Sequence, residues 1–153
     1  MLRLLLLLHL IGSALLIDAT PARACGCERL SDEQLFAKAS SVFVAHVFRS
    51  EEATGMAPLV SDKPTTIVEA SFRTVEVLKG QPPPSGKVKG LTWSYDCSVL
   101  LYPATDYLIF LYDDDFVLAC GGSRSISLEG HDSVTVLSKN LLEGLRALSH
   151  QGK

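Results

Sequence analysis

The sequence predicts a mainly β domain in which about five strands lie between a short amino-terminal helix and a carboxy-terminal amphipathic helix. Three observations support this prediction. Several short segments combine β-branched with aromatic residues, as in the run SVFVAHVF at residues 41–48. Clusters of Gly, Pro and Asp separate these segments, as is typical of turns. Residues 134–148 instead carry apolar side chains at three- and four-residue spacing, which is the helical period.

A capping box predicts the first helix. Ser31 precedes Gln34 by three residues, so each side chain can bond the other residue's backbone N–H. This helix should run to about Ser40, and its inner face then carries Leu35, Phe36 and Ala39. Residues 41–48 predict the first strand, and residues 50–64, with their acids, a Gly and two prolines, predict a loop.

Two further strands are predicted on either side of three consecutive prolines, which should form a rigid turn. The first spans Thr65–Leu78, where alternation with one slip of register, as at a bulge, places inward the residues Phe72, Val75 and Val77. The second spans Lys87–Tyr95, and its expected core residues are Val88, Leu91 and Trp93.

The segments Tyr107–Tyr112 and Phe116–Cys120 flank three aspartates, and this spacing predicts a hairpin with an acidic tip. The tip lacks the alternating ligands and the distal glutamate of a calcium loop, so a solvated turn is the favoured interpretation. The final helix should pack on the sheet through its periodic apolar residues, which are Val134, Leu137, Leu141, Leu145 and Leu148.

Five bent strands with a helix at each end predict a small closed barrel of the OB type. A β-sandwich is the alternative architecture. It would usually show about seven shorter strands, so the barrel is preferred.

Residues 1–24 have the parts of a secretory leader: Arg3, an apolar run over residues 4–17, and Ala22-Arg23-Ala24 before the cut. Cleavage there leaves residues 25–153 as a single domain beginning with Cys25. An acylated lipoprotein cysteine is the alternative, but Arg23 and the polar spacer before it argue against that reading. The apolar run is shorter than the roughly 20 residues of a membrane-spanning helix, so we expect a secreted or periplasmic protein with no membrane contact after cleavage.

The charge and motif content of the mature chain excludes several classes of function. With the leader removed, 12 basic and 16 acidic residues remain, and this acidic balance disfavours a nucleic-acid partner. Only His46, His131 and His150 are left, without a zinc-protease motif, a nucleophile elbow or a phosphate-binding glycine loop. The sequence therefore predicts neither an enzyme nor a resident cofactor.

Four cysteines behind a secretory leader imply disulfides, and they allow three pairings. Joining Cys25 to Cys27 would close a very small, strained ring. In the two other pairings, Cys25 and Cys27 each bond one of the remote cysteines, Cys97 and Cys120. Either of these pairings would fasten the amino terminus to the body of the domain. Such loops stabilise by about 4 to 5 kcal/mol in the chain-entropy account. A thiol–disulfide redox pair in the Cys-x-Cys motif is a further alternative.

The order of several segments resembles a known family. Cys25-Gly26-Cys27, LFAKASSVFVAHV at residues 35–47 and FRTVEVLKG at residues 72–80 resemble the netrin-module superfamily, specifically the amino-terminal domain of tissue inhibitors of metalloproteinases. YLIF at residues 107–110 and CGG at residues 120–122 extend the resemblance. It implies a five-stranded OB barrel with disulfides Cys25–Cys97 and Cys27–Cys120. A form this short, with two disulfides, is what we expect of a bacterial relative.

The resemblance also implies a function. In that family the α-amine and carbonyl of the first cysteine chelate the catalytic zinc of a metalloendopeptidase, which would make this chain a monomeric inhibitor whose only metal contact, at Cys25, is with its partner's zinc. The implied protease-binding ridge is Cys25, Gly26, Cys27, Glu28, Tyr95, Asp96, Cys97, Ser98 and Val99. Glycine at position 26 places no side chain in the protease's specificity pocket, so a netrin-like interaction module without inhibitory activity is the alternative.

Overall fold

The computed structural model describes residues 27–57, 61–92, 98–129 and 133–151, and this part of the chain is mainly β, as the sequence predicts. One six-stranded sheet lies between a short amino-terminal helix and a longer carboxy-terminal helix. In chain order the elements are α1 (Asp32–Lys38), β1 (Ser41–Ala57), β2 (Ser61–Lys79), β3 (Lys87–Leu91), β4 (Thr105–Leu111), β5 (Phe116–Val117), β6 (Arg124–Ile126) and α2 (Ser133–Gln151).

The described strands have the order β5-β3-β2-β1-β4-β6, and among them only the β3–β5 pair is parallel. No ladder joins β5 to β4 among the described strands, so the sheet is a curled half-barrel in place of the predicted closed barrel. The predicted hairpin of β4 and β5 is wrong, because Lys89 N donates to Asp115 O at 2.8 Å and β5 pairs with β3. The sixth strand, β6, pairs with β4 and was not predicted.

The first seven residues of β1, Ser41–Val47, are covered on both faces of the sheet. Phe43, Ala45 and Val47 lie in the inner core, where the ring centroids of Phe43 and Phe72 are 5.3 Å apart. Val42 and Val44 point the opposite way into an outer core, between the sheet and the two helices. Side chains alternate along a strand, so an uninterrupted apolar run is what a strand covered on both faces requires.

The capping box predicted for α1 is confirmed. Gln34 N donates to Ser31 Oγ at 3.3 Å, and Ser31 N donates to Gln34 Oε1 at 2.9 Å. The predicted inner face is also confirmed, since Leu35, Phe36 and Ala39 are buried. At the other end, Lys79 Nζ donates to the carbonyls of Phe36 and Ala37 at 2.7 and 2.9 Å, which joins the helix to the end of β2.

The buried face of α2 differs from the predicted one in its first turns. Val134 and Leu137 were expected to pack inward but are 58% and 68% exposed. Polar contacts set this rotation of the helix: Ser138 Oγ accepts from Ser127 N at 3.1 Å, and Thr135 Oγ1 donates to Glu129 O at 3.1 Å. The outer core is reached further along the helix, by Leu142 and Leu145 and in part by Leu141 and Leu148.

The predicted loop over residues 50–64 is wrong. β1 continues to Ala57 and β2 begins at Ser61, so most of that segment forms a long antiparallel hairpin; its tip, residues 58–60, lies outside the described part. The composition misled because backbone pairing does not require apolar side chains. Pro64 has no N–H to donate, and it falls at a register irregularity of the ladder.

The inward residues predicted for β2 are only partly right. Phe72 is buried, but Val75 and Val77 are about half exposed, and Leu78 is buried in their place. Two register shifts occur in this part of the β1–β2 ladder, where the sequence predicted one. Within β2, residues 67–71 are the ones that pair with β3, so Val75 and Val77 lie beyond the end of β3 and are not covered by it. In β3 itself Val88 and Leu91 are buried as predicted, whereas Trp93 lies outside the described residues.

A bidentate ion pair between α2 and β2 makes the stability of the fold depend on pH. Arg146 Nε and Nη2 donate to the two carboxylate oxygens of Glu76 at 2.8 and 2.7 Å, and these hydrogen bonds lower the pKa of Glu76 from its ordinary value of 4.5. A carboxyl group whose pKa is lower in the folded state than in the unfolded state stabilises the fold at pH values above its unfolded-state pKa. That contribution is lost as the pH falls through the lowered pKa.

We therefore expect Glu76→Gln to lower the free energy of unfolding at pH 7 by at most about 1 kcal/mol, because both side chains are partly exposed. The deficit should shrink as the pH drops below 4.5 and vanish once Glu76 is protonated in the parent protein. Urea denaturation at stepped pH values measures it, with Glu52→Gln as the control. A deficit that stays constant down to the lowest pH would contradict the assigned role.

Candidate protein-binding site at the amino-terminal disulfide

A disulfide fixes the beginning of the described chain to the sheet. Cys27 is bonded to Cys120, with 5.3 Å between their Cα atoms and a sequence separation of 93. This is one of the two bridges that the family resemblance implies. The other, Cys25–Cys97, involves residues outside the described part of the chain. A second anchor lies close by, where Arg124 Nη2 contacts Asp32 Oδ1 at 2.6 Å.

Residues 118–120, which include the disulfide partner of Cys27, also contact the connector between β3 and β4. Ser98 forms an isolated antiparallel bridge with Leu118, two residues before Cys120. Bridge partners have Cα atoms about 5 Å apart, so the Cα atoms of Cys27 and Ser98 are within about 18 Å of each other. Residues 118–120 therefore bring the two described parts of the predicted ridge into one region.

The predicted ridge residues differ in what they expose. Cys27 and Glu28 are exposed and Ser98 is half-buried. The Val99 side chain is buried in the inner core, so it supports the connector and leaves only its backbone for a partner. The remaining ridge residues lie outside the described part of the chain: Cys25, Gly26, Tyr95, Asp96 and Cys97.

A buried tyrosine holds the connector in place. The Tyr107 hydroxyl donates to Leu100 O at 2.6 Å and accepts from Tyr102 N at 2.7 Å. Burial raises the pKa of Tyr107, which keeps the phenol protonated as this donor requires. Ser50 Oγ adds a bond to Leu101 O at 2.5 Å, so β1 and β4 together fix residues 100–102.

A groove of about 330 Å³ runs between this connector and the β1–β2 hairpin. Tyr102, 60% exposed, forms part of its wall together with Leu100 and Pro103. The facing wall, from the hairpin, consists of Ser50, Glu51, Glu52 and Val68. Sequence reasoning missed this groove because it treated residues 50–64 as a loop. The available signal was the apolar run Leu100–Pro103, in which Leu100, Tyr102 and Pro103 are exposed and Leu101 is buried.

His46 is paired with an acidic side chain of the neighbouring strand. Its Nδ1 lies 2.7 Å from Asp106 Oδ1, across the β1–β4 ladder. The cleft beside this pair, about 340 Å³, also contains Ser127, whose hydroxyl is bonded to Glu129 O and Thr135 Oγ1. A nucleophile needs a base within hydrogen-bond reach, and Ser127 has other partners. Within the described ranges no cluster of His, Cys, Asp or Glu is placed to hold a metal ion.

Comparisons with known proteins leave the family open. No family model matches the chain, and no curated protein matches it significantly. None of the helices in the described segments has the length and hydropathy needed to cross a membrane.

Tyr107→Phe should loosen the connector without disturbing the core around the ring. It removes two hydrogen bonds and leaves the Leu100 carbonyl and the Tyr102 N–H without their partner, a loss of about 1 to 3 kcal/mol. Chemical denaturation measures this loss, and amide hydrogen exchange of residues 100–102 should accelerate. Tyr112→Phe is the matched control, because its hydroxyl bonds Gly121 O and not the connector. Equal exchange at residues 100–102 in both variants would contradict the assignment.

Proposed function

We propose that this chain is an exported protein-binding domain that inhibits a zinc metalloendopeptidase through its amino-terminal residues. The observation that carries the proposal is the Cys27–Cys120 disulfide next to the Ser98–Leu118 bridge. Together these two links hold the amino-terminal segment and the β3–β4 connector in one region. A protease-binding ridge made from residues 25–28 and 95–99 requires this proximity.

The chemistry at Cys25 follows from its position in the chain. Two residues of chain span at most about 7 Å, so the α-amine of a mature chain beginning at Cys25 stays close to the Cys27 anchor. A catalytic zinc keeps one coordination position open, and an α-amine together with the carbonyl of the same residue can fill it as a chelate. An α-amine has a pKa near 8, so losing its proton at neutral pH costs little. The zinc belongs to the partner and is not a cofactor of this chain.

We also propose that the half-barrel is an OB-type fold of the netrin-module kind. Strands β1, β2 and β3 follow one another as an antiparallel meander, β1 pairs with β4, and β3 pairs in parallel with β5. This is the pairing of an OB barrel opened between β4 and β5. The resemblance of residues 35–47 and 72–80 to the inhibitor family supports the same fold.

The leader motif of residues 1–24 and the disulfide both support a secreted or periplasmic location, since disulfides persist in oxidising compartments. They also weigh against the redox alternative. A reactive Cys-x-Cys pair would join Cys25 to Cys27, whereas Cys27 is bonded to the remote Cys120.

A netrin-like interaction module without inhibitory activity is the second candidate, and the groove beside Tyr102 favours it. In that case the disulfide only fastens the terminus, and a partner contacts the exposed apolar side chains of Leu100, Tyr102 and Pro103. The two candidates differ in whether the free α-amine of Cys25 is needed for binding.

One extra residue before Cys25 tests the proposal. A retained Ala24 removes the free α-amine from Cys25, so chelation is lost while the fold, anchored at Cys27, is unchanged. We expect at least a hundredfold loss of inhibition, about 2.7 kcal/mol or more. Inhibition assays against secreted zinc endopeptidases and pull-down from the producing organism's secretome measure it. Equal binding of both forms would exclude chelation and favour the interaction module.

Gly26→Thr should strengthen inhibition. Glycine leaves the specificity pocket of a zinc endopeptidase empty, and a side chain with a few carbon atoms recovers about 1 to 3 kcal/mol there, a 5- to 150-fold lower inhibition constant. Titration of the same protease with both forms measures the change. Arg29→Ala, which changes an exposed residue just outside the ridge, is the control for a general effect of mutating the terminus. Unchanged or weaker inhibition by Gly26→Thr would mean that residue 26 does not enter a pocket.

A further inference from the structure

One edge of the β1–β2 hairpin is open among the described residues. β1 pairs with β2 from Val42 to Ala57, but its other edge pairs with β4 only as far as Val47. The last backbone bond on that edge runs from Ala104 N to Val47 O at 2.8 Å. Residues 48–57 continue the strand, and no ladder of the described strands covers this edge. An open edge presents unpaired backbone N–H and C=O groups, which is the surface that an added strand requires.

The open edge lacks the usual protection against pairing. Exposed edge strands are commonly kept short, distorted by bulges, or supplied with lysines and prolines. Residues 48–57 contain neither lysine nor proline, and the β1–β2 ladder runs from Arg49 to Gly55 without a register shift. The large apolar side chains of this segment, Phe48 and Met56, are 57% and 50% exposed. The edge is therefore regular and partly apolar, as expected of a strand that another strand can join.

The groove beside Tyr102 lies next to this edge. Directly opposite residues of an antiparallel pair share one face of the sheet. Ser50 is opposite Ala70 of the inner core, and Ser50 Oγ bonds the connector there. Glu52 is opposite Val68, which packs against the same core. Both side chains thus lie on the face that carries the groove. An apolar side chain of an added strand, placed opposite Ser50, would enter the groove against the connector.

The charge of the edge favours a basic partner. Glu51 accepts a bond from Arg49 Nη2 at 2.7 Å, so its charge is compensated within the strand. Glu52 is exposed and has no ion-pair partner among the described residues. A second copy of the chain would bring further glutamates to the same edge, and like charges oppose strand pairing. A lysine or arginine opposite Glu52 would instead pair with its carboxylate.

The positions of Ser50 and Glu52 define the spacing of the partner's side chains. Side chains alternate along a strand, so the two that face Glu52 and Ser50 are two residues apart. Antiparallel pairing is slightly more stable than parallel pairing. In an antiparallel partner the residue opposite Glu52 comes first and the residue opposite Ser50 follows two positions later. The partner segment therefore has the pattern basic-x-apolar.

We propose that the open edge of β1 and the groove beside Tyr102 together bind an extended segment of a protein partner. This segment adds an antiparallel strand to residues 49–55, places a lysine or arginine against Glu52 and fills the groove of about 330 Å³ with an apolar side chain. The proposal rests on the interaction-module candidate, whose partner it describes. It does not depend on the terminal amine of Cys25.

The test uses the mature, disulfide-bonded protein, labelled with ¹⁵N, at low salt. The probe is the peptide acetyl-Thr-Thr-Lys-Thr-Phe-Thr-Thr-amide, and two matched peptides replace its lysine with glutamate or its phenylalanine with alanine. We expect saturable amide shifts at residues 49–55 and 100–103 with the parent peptide. The glutamate peptide should bind at least about threefold more weakly. The alanine peptide should bind at least about tenfold more weakly, because the groove then stays unfilled.

Strand addition has a signature that side-chain contacts alone lack. N-methyl groups on alternate amides of the peptide remove either the donors that face β1 or the donors that face away from it. One of these two methylated peptides should lose at least about tenfold in affinity, and the other should stay within about twofold of the parent. Amide hydrogen exchange within residues 49–55 should also slow when the parent peptide is bound.

Two variants test the assigned side chains. With Glu52→Gln, the lysine and glutamate peptides should bind within about twofold of each other, because the charge that distinguishes them is gone. Glu143→Gln, which changes an exposed acid of α2, is the matched control and should keep the preference for lysine. Tyr102→Ala removes an exposed wall of the groove and should weaken the parent peptide at least about fivefold, with an unchanged Tm.

Several results would overturn the proposal. These are the absence of saturable shifts, equal affinity of the lysine and glutamate peptides for the parent protein, or equal affinity of the two methylated peptides. A dimer that excludes the peptide, detected by light scattering, would assign the edge to a second copy and overturn it as well.

Two further measurements separate this site from the proposed functions. The form with a retained Ala24 should bind the peptide as tightly as the mature form does, even though it loses inhibition. Loss of peptide binding in that form would contradict the independence of the two sites. If no peptide binds but Tyr102→Ala weakens the capture of a partner from the secretome, the interaction module stands and the strand addition is wrong.

Discussion

The first seven residues of β1, Ser41–Val47, are covered on both faces of the sheet, and β2, β4 and both helices are positioned against this segment. Its edges bond β2 and β4, its inner side chains fill the concave side of the sheet, and its outer side chains meet both helices. Alternate residues serve different cores, so a slip of one position would exchange them. The β1–β4 ladder is uninterrupted from Ser41 to Val47, and the irregularities fall in the β1–β2 ladder. The sheet thus bends on one side of β1 and holds its register on the other.

This arrangement of the sheet also brings the candidate ridge together. β5 follows the turn at residues 113–115 and pairs with β3. Leu118, the residue after β5, forms a bridge with Ser98 in the β3–β4 connector, and Cys120, two residues later, is bonded to Cys27. Tyr107 and Ser50 bond the connector just beyond, so the region rests on side chains anchored in β4 and β1. A surface held this way loses little conformational entropy when a partner binds. Such preorganisation would favour binding by an inhibitor and by a non-inhibitory interaction module equally. The two proposals therefore differ only in whether binding requires the free α-amine of Cys25.

The sequence by itself determined the β class, the capped first helix, the buried run of β1 and the final helix, because these follow from local hydrogen bonding and from the spacing of apolar residues. It did not determine the partner of each strand. Residues 50–57 and 61–64 form a polar hairpin whose stability comes from its backbone hydrogen bonds. β5 pairs with β3, and the hydrogen bond from Lys89 N to Asp115 O holds the preceding turn beside β3.

The faces of elements were likewise decided by tertiary contacts. Val134 and Leu137 fit the helical period, yet they face solvent because Ser138 Oγ accepts from Ser127 N and Thr135 Oγ1 donates to Glu129 O. Val75 and Val77 fit a strand alternation that two register shifts interrupt. The Cys-x-Cys motif could be recognised from its spacing, whereas the groove at Tyr102 exists only once distant segments meet. Periodicity is a property of the chain, but pairing, rotation and enclosure depend on which surfaces are available after the chain has folded.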